Sequence, residues 1–215
     1  ASLYLKKNQE RRLRAGHVWI YSNEIDIQLS PLKNFAAGEL VNVYAHDKKP
    51  LGTAYINPHS LICARVLTTR LNTELTTEFF IARLQLALSL RERLFPEPYY
   101  RLIYGESDGL PGVVVDRFDQ VLVVQITTAG MEHAKESLLN ALDQVFNPQV
   151  IVLRNDTLMR ELEGLSEVVA VVKGTTDGLV TLRENQAIFQ TDVLQGQKTG
   201  WFYDHRMNRA RASQY

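Results

Sequence analysis

Apolar and polar positions alternate along the first third of the chain, in short runs separated by turn-forming residues. In the run from Leu40 to Ala45, Val41 and Val43 share one face with Ala45. A period of two is typical of a half-buried strand. Further apolar runs of this kind cover residues 51–56 and 61–67. Several short strands at this spacing predict a small barrel or sandwich.

The spacing of apolar residues changes to a helical period from Thr73 to Phe95. Within this segment, apolar residues such as Leu84 and Leu88 recur four positions apart. Asn72 is a suitable N-cap residue, and Pro96 cannot continue a helix. The pattern therefore predicts a helix over 73–95 that joins two domains.

Residues 101–195 combine short apolar runs with one further helical stripe. β-branched runs at 113–116 and 121–126 are joined by a short connection and predict a hairpin. The helical stripe consists of Ala134, Leu138, Leu142 and Val145. Further predicted strands lie at 150–153, 168–172, 179–182 and 187–193. Because strands outnumber helices, the predicted fold class is α+β, with a mixed sheet and a helix packed on it.

Composition narrows the class of protein. Hydrophobic residues make up 45% of the chain and charged residues 22%, which is typical of globular domains. No apolar run approaches the ~20 residues of a membrane span, and no signal peptide is expected. The single cysteine, Cys63, excludes an internal disulfide and fits a reducing compartment, so a cytoplasmic location is predicted.

The net charge of zero hides two basic ends. Residues 1–20 carry five basic side chains against one acidic, and residues 198–215 carry four against one. Basic ends around an acidic middle suggest that a polyanion binds to local basic patches of the surface. The alternative is that these charges form ordinary solvated faces.

Several common catalytic and metal-binding patterns are absent. The sequence contains no G-x-G-x-x-G, no G-x-x-x-x-G-K-[ST] and no G-x-S-x-G motif. The five histidines are scattered without the spacing of metal ligands, so no metal site is predicted. Cys63 lies inside an apolar strand, which indicates a buried structural thiol rather than a nucleophile.

Three segments carry candidate chemistry, and each has a structural alternative. Residues 11–21 interleave arginines with aromatics, which suits phosphate and base contacts. The alternative is that the arginines are only solvated and Trp19 is part of the core. The glycine-rich stretch 105–112 is predicted to be a tight loop. Its glycines either allow another group to approach the backbone closely or form a structural corner before the hairpin. Residues 197–206 suit a ligand with an adenine and an amino acid, or else form a turn and helix cap.

Together these segments resemble the bacterial family of class I SAM-dependent 23S ribosomal RNA (cytosine-C5) methyltransferases that have an N-terminal PUA domain. Residues 14–21 resemble the family's R-x-x-G-H-P-W-I-F, and 105–112 read G-E-S-D-G-L-P-G, followed by V-D-R at 115–117. Residues 154–165 contain R-N-D, then R and E-G-L, and residues 197–209 are similar to Q-K-T-G-x-F-x-D-x-R-x-N-R. The chain departs from the family's usual residues at Val18, Tyr21, Asp119, Trp201, Tyr203 and His205.

The resemblance implies a three-part enzyme. Residues 1–70 would form a PUA-like RNA-binding β-barrel, residues 71–197 the linking helix and a central mixed-sheet α+β domain, and residues 198–215 the start of a Rossmann-like methyltransferase domain. The rest of that domain, with its catalytic cysteine, is expected beyond Tyr215. Carbon 5 of cytosine is a poor nucleophile, so such enzymes are expected to add a cysteine thiolate at carbon 6. No catalytic residue is therefore expected in this chain, which should bind RNA weakly and transfer no methyl group.

The resemblance also implies the candidate site residues and partners. The implied RNA-binding residues are Lys6, Arg11, Arg12, Arg14, Gly16, His17 and Trp19. The implied residues for S-adenosylmethionine (SAM) are Lys198, Thr199, Gly200, Phe202, Asp204, Arg206 and Arg209. Ribosomal RNA is the expected partner, no membrane is expected, and a homodimer is left open. Modification of another base stays open, and so does a stand-alone, non-enzymatic RNA-binding adaptor with a well-packed C-terminus.

Overall fold

A five-stranded sheet is formed by the first third of the chain in the computed structural model, which describes residues 1–215. Its strands are β1 (Ser2–Tyr4), β2 (Trp19–Tyr21), β3 (Glu39–Tyr44), β4 (Pro50–Ile56) and β5 (Ile62–Thr68). Their order is β1-β3-β4-β5-β2, and the sheet curls into a half-barrel. Val41, Val43 and Ala45 are all buried, so the predicted inward face of β3 is confirmed. The short helix α1 (Glu10–Arg14) lies between β1 and β2 in sequence.

Helix α2 (Thr77–Leu94) follows, and it starts later than the spacing of apolar residues predicts. Asn72 is not its N-cap, because Asn72 adopts a left-handed conformation and its backbone N–H donates to the Asn42 side chain. The next N–H, of Thr73, donates to the hydroxyl of Thr53. Side chains of the first sheet therefore hold these residues in a turn. The cap is Thr76, whose hydroxyl accepts from the Phe79 N–H at 3.3 Å.

A second five-stranded sheet confirms the predicted mixed sheet. Its strands are β6 (Tyr99–Tyr104), β7 (Val113–Phe118), β8 (Val121–Ile126), β9 (Val150–Asn155) and β10 (Val168–Lys173), in the order β10-β9-β8-β7-β6. Only β8 and β9 run parallel, and α3 (Ala129–His133) with α4 (Lys135–Phe146) connects them. Helix α5 (Leu158–Leu162) connects β9 to β10. The predicted stripe on α4 is inward, since Leu138 and Leu142 are fully buried.

The two sheets share one core. The largest cluster of buried apolar residues contains Tyr55 and Leu67 from the first sheet, together with Phe80 from α2 and residues of the second sheet. The Tyr55 hydroxyl donates to the Pro111 carbonyl at 3.1 Å. A side chain at Gly130 would overlap the Tyr55 ring, so this glycine permits close contact between the two parts.

The last third of the chain departs from the expected arrangement. Strands β11 (Leu179–Glu184) and β12 (Ala187–Asp192) form a separate two-stranded sheet and do not extend the mixed sheet. Along β11, alternate residues are buried against the back of the second sheet and the others are exposed.

The final segment also packs against other residues of the chain. The rings of Trp201 and Tyr203 pack on the apolar cluster that β11 forms with the second sheet. Met207 on α6 (Arg206–Ala212) is exposed. None of the helices is both long enough and apolar enough to cross a membrane.

Candidate functional site

Three of the predicted RNA-binding residues line one open cavity of about 550 Å³. Arg14, Gly16 and His17 line it together with Arg83 of α2. Gly16 has a φ of +95°, a backbone conformation that favours glycine. Crowding is not the reason for the glycine, because a side chain there would meet no other atom. The cavity is open, and its lining includes an arginine and a histidine beside apolar residues of the first sheet.

The remaining basic residues near the first helix differ in how firmly they are held. Arg12 pairs with Glu24 at 3.1 Å and lies over the Tyr21 ring at 5.2 Å. Lys6 donates to a backbone carbonyl and Arg11 to an asparagine side chain, so neither charge is neutralised by a carboxylate. Lys6, Arg11 and Arg14 therefore have no carboxylate partner, whereas Arg12 has one in Glu24.

Trp19 lies apart from that cavity. Its side chain is 38% exposed, so the alternative that placed it in the core is wrong. The indole N–H donates to Glu106 at 2.7 Å and thereby connects the first sheet to the loop after β6. Trp19 lines a second cavity, of about 330 Å³, together with Arg65 and Tyr104.

The loop Gly105–Gly112 is anchored on several sides. Asp108 accepts two hydrogen bonds from Arg91, at 2.6 and 2.7 Å, and a third from the Tyr104 N–H. A side chain at Gly112 would lie 2.3 Å from the Thr128 hydroxyl. The close approach that the glycines suggested is therefore made to the chain's own residues, as the structural alternative expected.

The third sequence match, residues 154–165, forms a buried polar network. Arg154 is 3% exposed and donates to Asp156, to Val193 O and to Gly196 O. Arg160 is equally buried and binds Glu132 at 2.8 Å. This segment therefore stabilises the architecture around the second sheet.

Two of the predicted cofactor residues serve the chain itself. Thr199 is fully buried, and its hydroxyl donates to Asp116 at 2.5 Å. Asp116 also accepts two bonds from Arg101. The Gly200 carbonyl accepts from the Thr191 hydroxyl, and the φ of +103° at Gly200 requires a glycine.

The two predicted cofactor arginines share one internal carboxylate. Arg206 and Arg209 both donate to Glu184, whose side chain is fully buried. Burial alone would raise the pKa of Glu184, but hydrogen bonds from Arg209, Trp201 and Arg206 outweigh it and lower that pKa. Both arginines thus share one negative charge, and they hold α6 on the hairpin.

Three predicted cofactor residues remain at the surface or near it. The Lys198 ammonium lies 4.8 Å from the centre of the Phe202 ring, and that ring stacks on His205. Asp204 is exposed and lines a third cavity, of about 490 Å³, together with Tyr104. Four of the predicted cofactor residues therefore make polar contacts within the chain, and one of these, Arg206, also lines the third cavity. The other three lie at or near the surface.

Tyr104 was missed by the sequence reasoning, although it lines both the second and the third cavity. It is 58% exposed at the last position of β6, directly before the Gly105–Gly112 loop. An aromatic residue beside a glycine-rich loop was the available signal. Arg83 and Arg65 were also missed, because they lie in predicted secondary structure with nothing to mark them.

Cys63 is buried, as predicted. Burial, together with the negative charge of Glu163, raises the pKa of its thiol to about 11. The thiol is therefore protonated at neutral pH and is unsuited to nucleophilic attack.

The comparisons with known proteins begin with one segment of the chain and with its fold. Residues 3–69 match the family model of the PUA-like domain. Two solved structures are similar over 98% of the chain with a TM-score of 0.79 and 19% identity. One is described as a SAM-dependent methyltransferase from Streptococcus mutans and the other as a methyltransferase complexed with SAH; the chain covers 53% and 52% of them. At this identity the likeness shows the fold.

The sequence relatives are more specific. The chain is 37% identical over 220 residues to ribosomal RNA large subunit methyltransferase I of Vibrio vulnificus strain CMCP6, covering 100% of this chain and 54% of the relative. The protein of the same name from Pseudoalteromonas atlantica is 36% identical over 214 residues, covering 98% of this chain and 53% of the relative. The chain spans about half the length of the curated relatives it matches.

Proposed function

We propose that these residues belong to a cytoplasmic SAM-dependent methyltransferase that modifies carbon 5 of a cytosine in large-subunit ribosomal RNA. The observation that carries the RNA-binding part is the cavity in which Arg14 and His17 lie together in the PUA-like segment. Similarity along the whole chain to ribosomal RNA methyltransferases supports the reaction class. In this proposal residues 1–70 bind RNA. Residues 71–197 form the linking helix and the central α+β domain, and residues 198–215 begin the cofactor domain.

The residues at the C-terminal segment fit SAM in part. Lys198 can pair with the carboxylate of the cofactor, and Asp204 can accept from its ammonium or hydroxyl groups. The Phe202 ring would position Lys198, whose ammonium it contacts. Bound SAM would supply the methyl group. Arg206 and Arg209 would act indirectly, because Glu184 already holds them.

No nucleophile is assigned to these 215 residues. The buried, protonated Cys63 cannot supply the thiolate that methylation at carbon 5 requires. We therefore expect the isolated chain to bind RNA and to transfer no methyl group.

The test is to read the coding sequence that contains these residues, express its whole product and assay methyl transfer from labelled SAM to unmodified large-subunit ribosomal RNA. A labelled cytosine that resists bisulfite deamination supports the proposal. Label on another base would retain the methyltransferase and overturn the carbon-5 assignment. Methyl transfer by the isolated 215 residues would overturn the assignment of the nucleophile.

A non-enzymatic RNA-binding adaptor is the second candidate. It is favoured by the packing of Trp201 and Tyr203 within the chain, since an adaptor needs a self-contained C-terminal segment. A coding sequence that stops at Tyr215, with RNA binding and no methyl transfer, would support this candidate against the enzyme.

A further inference from the structure

Tyr104 separates two cavities that lead from the first sheet to the C-terminal segment. On one side it faces the cavity of about 330 Å³ that also contains Trp19. On the other side it faces the cavity of about 490 Å³ that also contains Asp204. Ser107 lines both cavities as well, so the two are neighbours with Tyr104 and Ser107 as their shared wall.

The aromatic rings along this path are held in place yet exposed. Trp19 is fixed at its edge by the hydrogen bond to Glu106 and is 38% exposed. Tyr104 is 58% exposed, and the Arg101 guanidinium lies 5.5 Å from its ring centre. One face of the Tyr104 ring is thus covered by Arg101, and the exposed area of both rings is available to a flat ligand. Rings that are already held lose little conformational entropy when such a ligand stacks on them.

The cations along the path are largely neutralised within the chain. Arg65 pairs with Glu163, Arg91 with Asp108 and Arg101 with Asp116. The path therefore offers aromatic faces and polar edges rather than free positive charge. Phosphate contacts fall instead to the unpaired cations near α1, such as Arg11 and Arg14.

We propose that Trp19 and Tyr104 form a stacking platform for unpaired nucleobases, and that a single RNA strand crosses Tyr104 toward the cavity beside Asp204. The inference rests on the proposed RNA-binding function and adds where the bases lie. Unpaired bases expose their faces to aromatic side chains, whereas a duplex conceals them. An RNA ligand is favoured because the basic segment 11–17 lies just before Trp19 in the sequence and supplies complementary charge for a nucleic-acid backbone.

The experiment compares binding of the 215-residue chain to a fluorescent single-stranded RNA oligomer and to a blunt duplex, over a series of salt concentrations. We expect Tyr104→Ala to weaken binding of the single strand roughly tenfold. The slope of log affinity against log salt should stay unchanged, because no phosphate contact is lost. Tyr104→Phe should retain the affinity, since it keeps the ring.

Tyr215→Ala is the matched control, because Tyr215 is fully exposed and lies outside both cavities. Circular dichroism of each variant checks that the fold persists. If the wild-type chain binds RNA and Tyr104→Ala binds the single strand equally well, the platform is wrong while RNA binding stands. If the wild-type chain binds neither RNA, the proposed RNA-binding function fails along with the platform.

Discussion

Glu184 is the residue that fixes the C-terminal segment. Its buried carboxylate accepts from Arg206, Arg209 and Trp201. In Glu184→Gln, two arginines lose their counter-charge, so we expect the free energy of unfolding to fall by roughly 2–3 kcal/mol. The segment after Trp201 should also become sensitive to limited proteolysis. Denaturant unfolding and mass spectrometry of the cleavage products measure both effects.

The pH dependence of this effect has a definite sign. The pKa of Glu184 is lowered in the folded chain, because hydrogen bonds to its charged form outweigh burial. Its stabilising contribution is complete above about pH 4.5, the range of an unfolded glutamate, and is lost as the pH falls through the folded pKa. The difference between wild type and Glu184→Gln should therefore shrink at acid pH. Exposed Glu167→Gln is the control, and an equal loss there would refute a specific role for Glu184.

Arg11 and Arg14 differ from Arg12 in a way that RNA binding can measure. Arg12 is paired with Glu24, whereas the other two face solvent without a carboxylate partner. Arg14→Ala and Arg11→Ala should each weaken binding across RNA sequences and reduce the salt slope by roughly 0.7 for a lost single-strand phosphate contact. Titrations of RNA at several salt concentrations give both quantities.

Arg93→Ala serves as the control for these titrations, because Arg93 is an exposed arginine on α2 outside the described cavities. Its salt slope should match that of the wild type. Unchanged slopes for both α1 variants would move the phosphate contacts away from α1.

At the scale of elements, periodicity identified most strands and both long helices. The alternating face of β3 and the buried stripe of α4 were predictable because each pattern reflects a single buried face. The start of α2 was not, because the deciding contacts come from Asn42 and Thr53, which are distant in sequence. Strands β11 and β12 were predicted, but their separation from the mixed sheet was not, since a local pattern does not contain which sheet a strand joins.

The cap of α2 gives a test at this scale. Thr76→Ala removes the hydroxyl that accepts from the Phe79 N–H, so we expect the free energy of unfolding to fall by about 1 kcal/mol. Thr77→Ala removes the same atoms one residue later, where no such bond exists, and should leave stability unchanged or slightly improved. Thermal and urea denaturation of the two variants decide between them. A larger loss in Thr77→Ala would place the cap elsewhere.

The candidate site could be predicted only in part, because some residues of the motifs form ion pairs within the chain. Sequence motifs marked Arg14, His17 and Asp204, which do line cavities. The same motifs marked Arg206 and Arg209, whose charges are used internally by Glu184. A motif records that a residue type is required and does not distinguish a ligand contact from a buried ion pair.

At the scale of the whole molecule, Glu163 connects the first sheet to the second. Its carboxylate accepts from Asn57 at 2.8 Å, Ser60 at 3.0 Å and Arg65 at 3.2 Å, and it is 6% exposed. Trp19 and Glu106 add a second polar link, and Tyr55 enters the shared core. The relative position of the cavities therefore depends on this junction rather than on either sheet alone.

Removal of this carboxylate should uncouple the two sheets. In Glu163→Ala the buried Arg65 keeps only Glu106, at 3.9 Å, so we expect a loss of roughly 3 kcal/mol in the free energy of unfolding. Hydrogen exchange should then show residues 2–68 losing protection before strands β7 to β9. Glu161→Ala, an exposed neighbour on α5, should leave exchange unchanged. If both sheets of Glu163→Ala lose protection together, the shared apolar core alone couples them. The polar junction would then be dispensable for the relative position of the cavities.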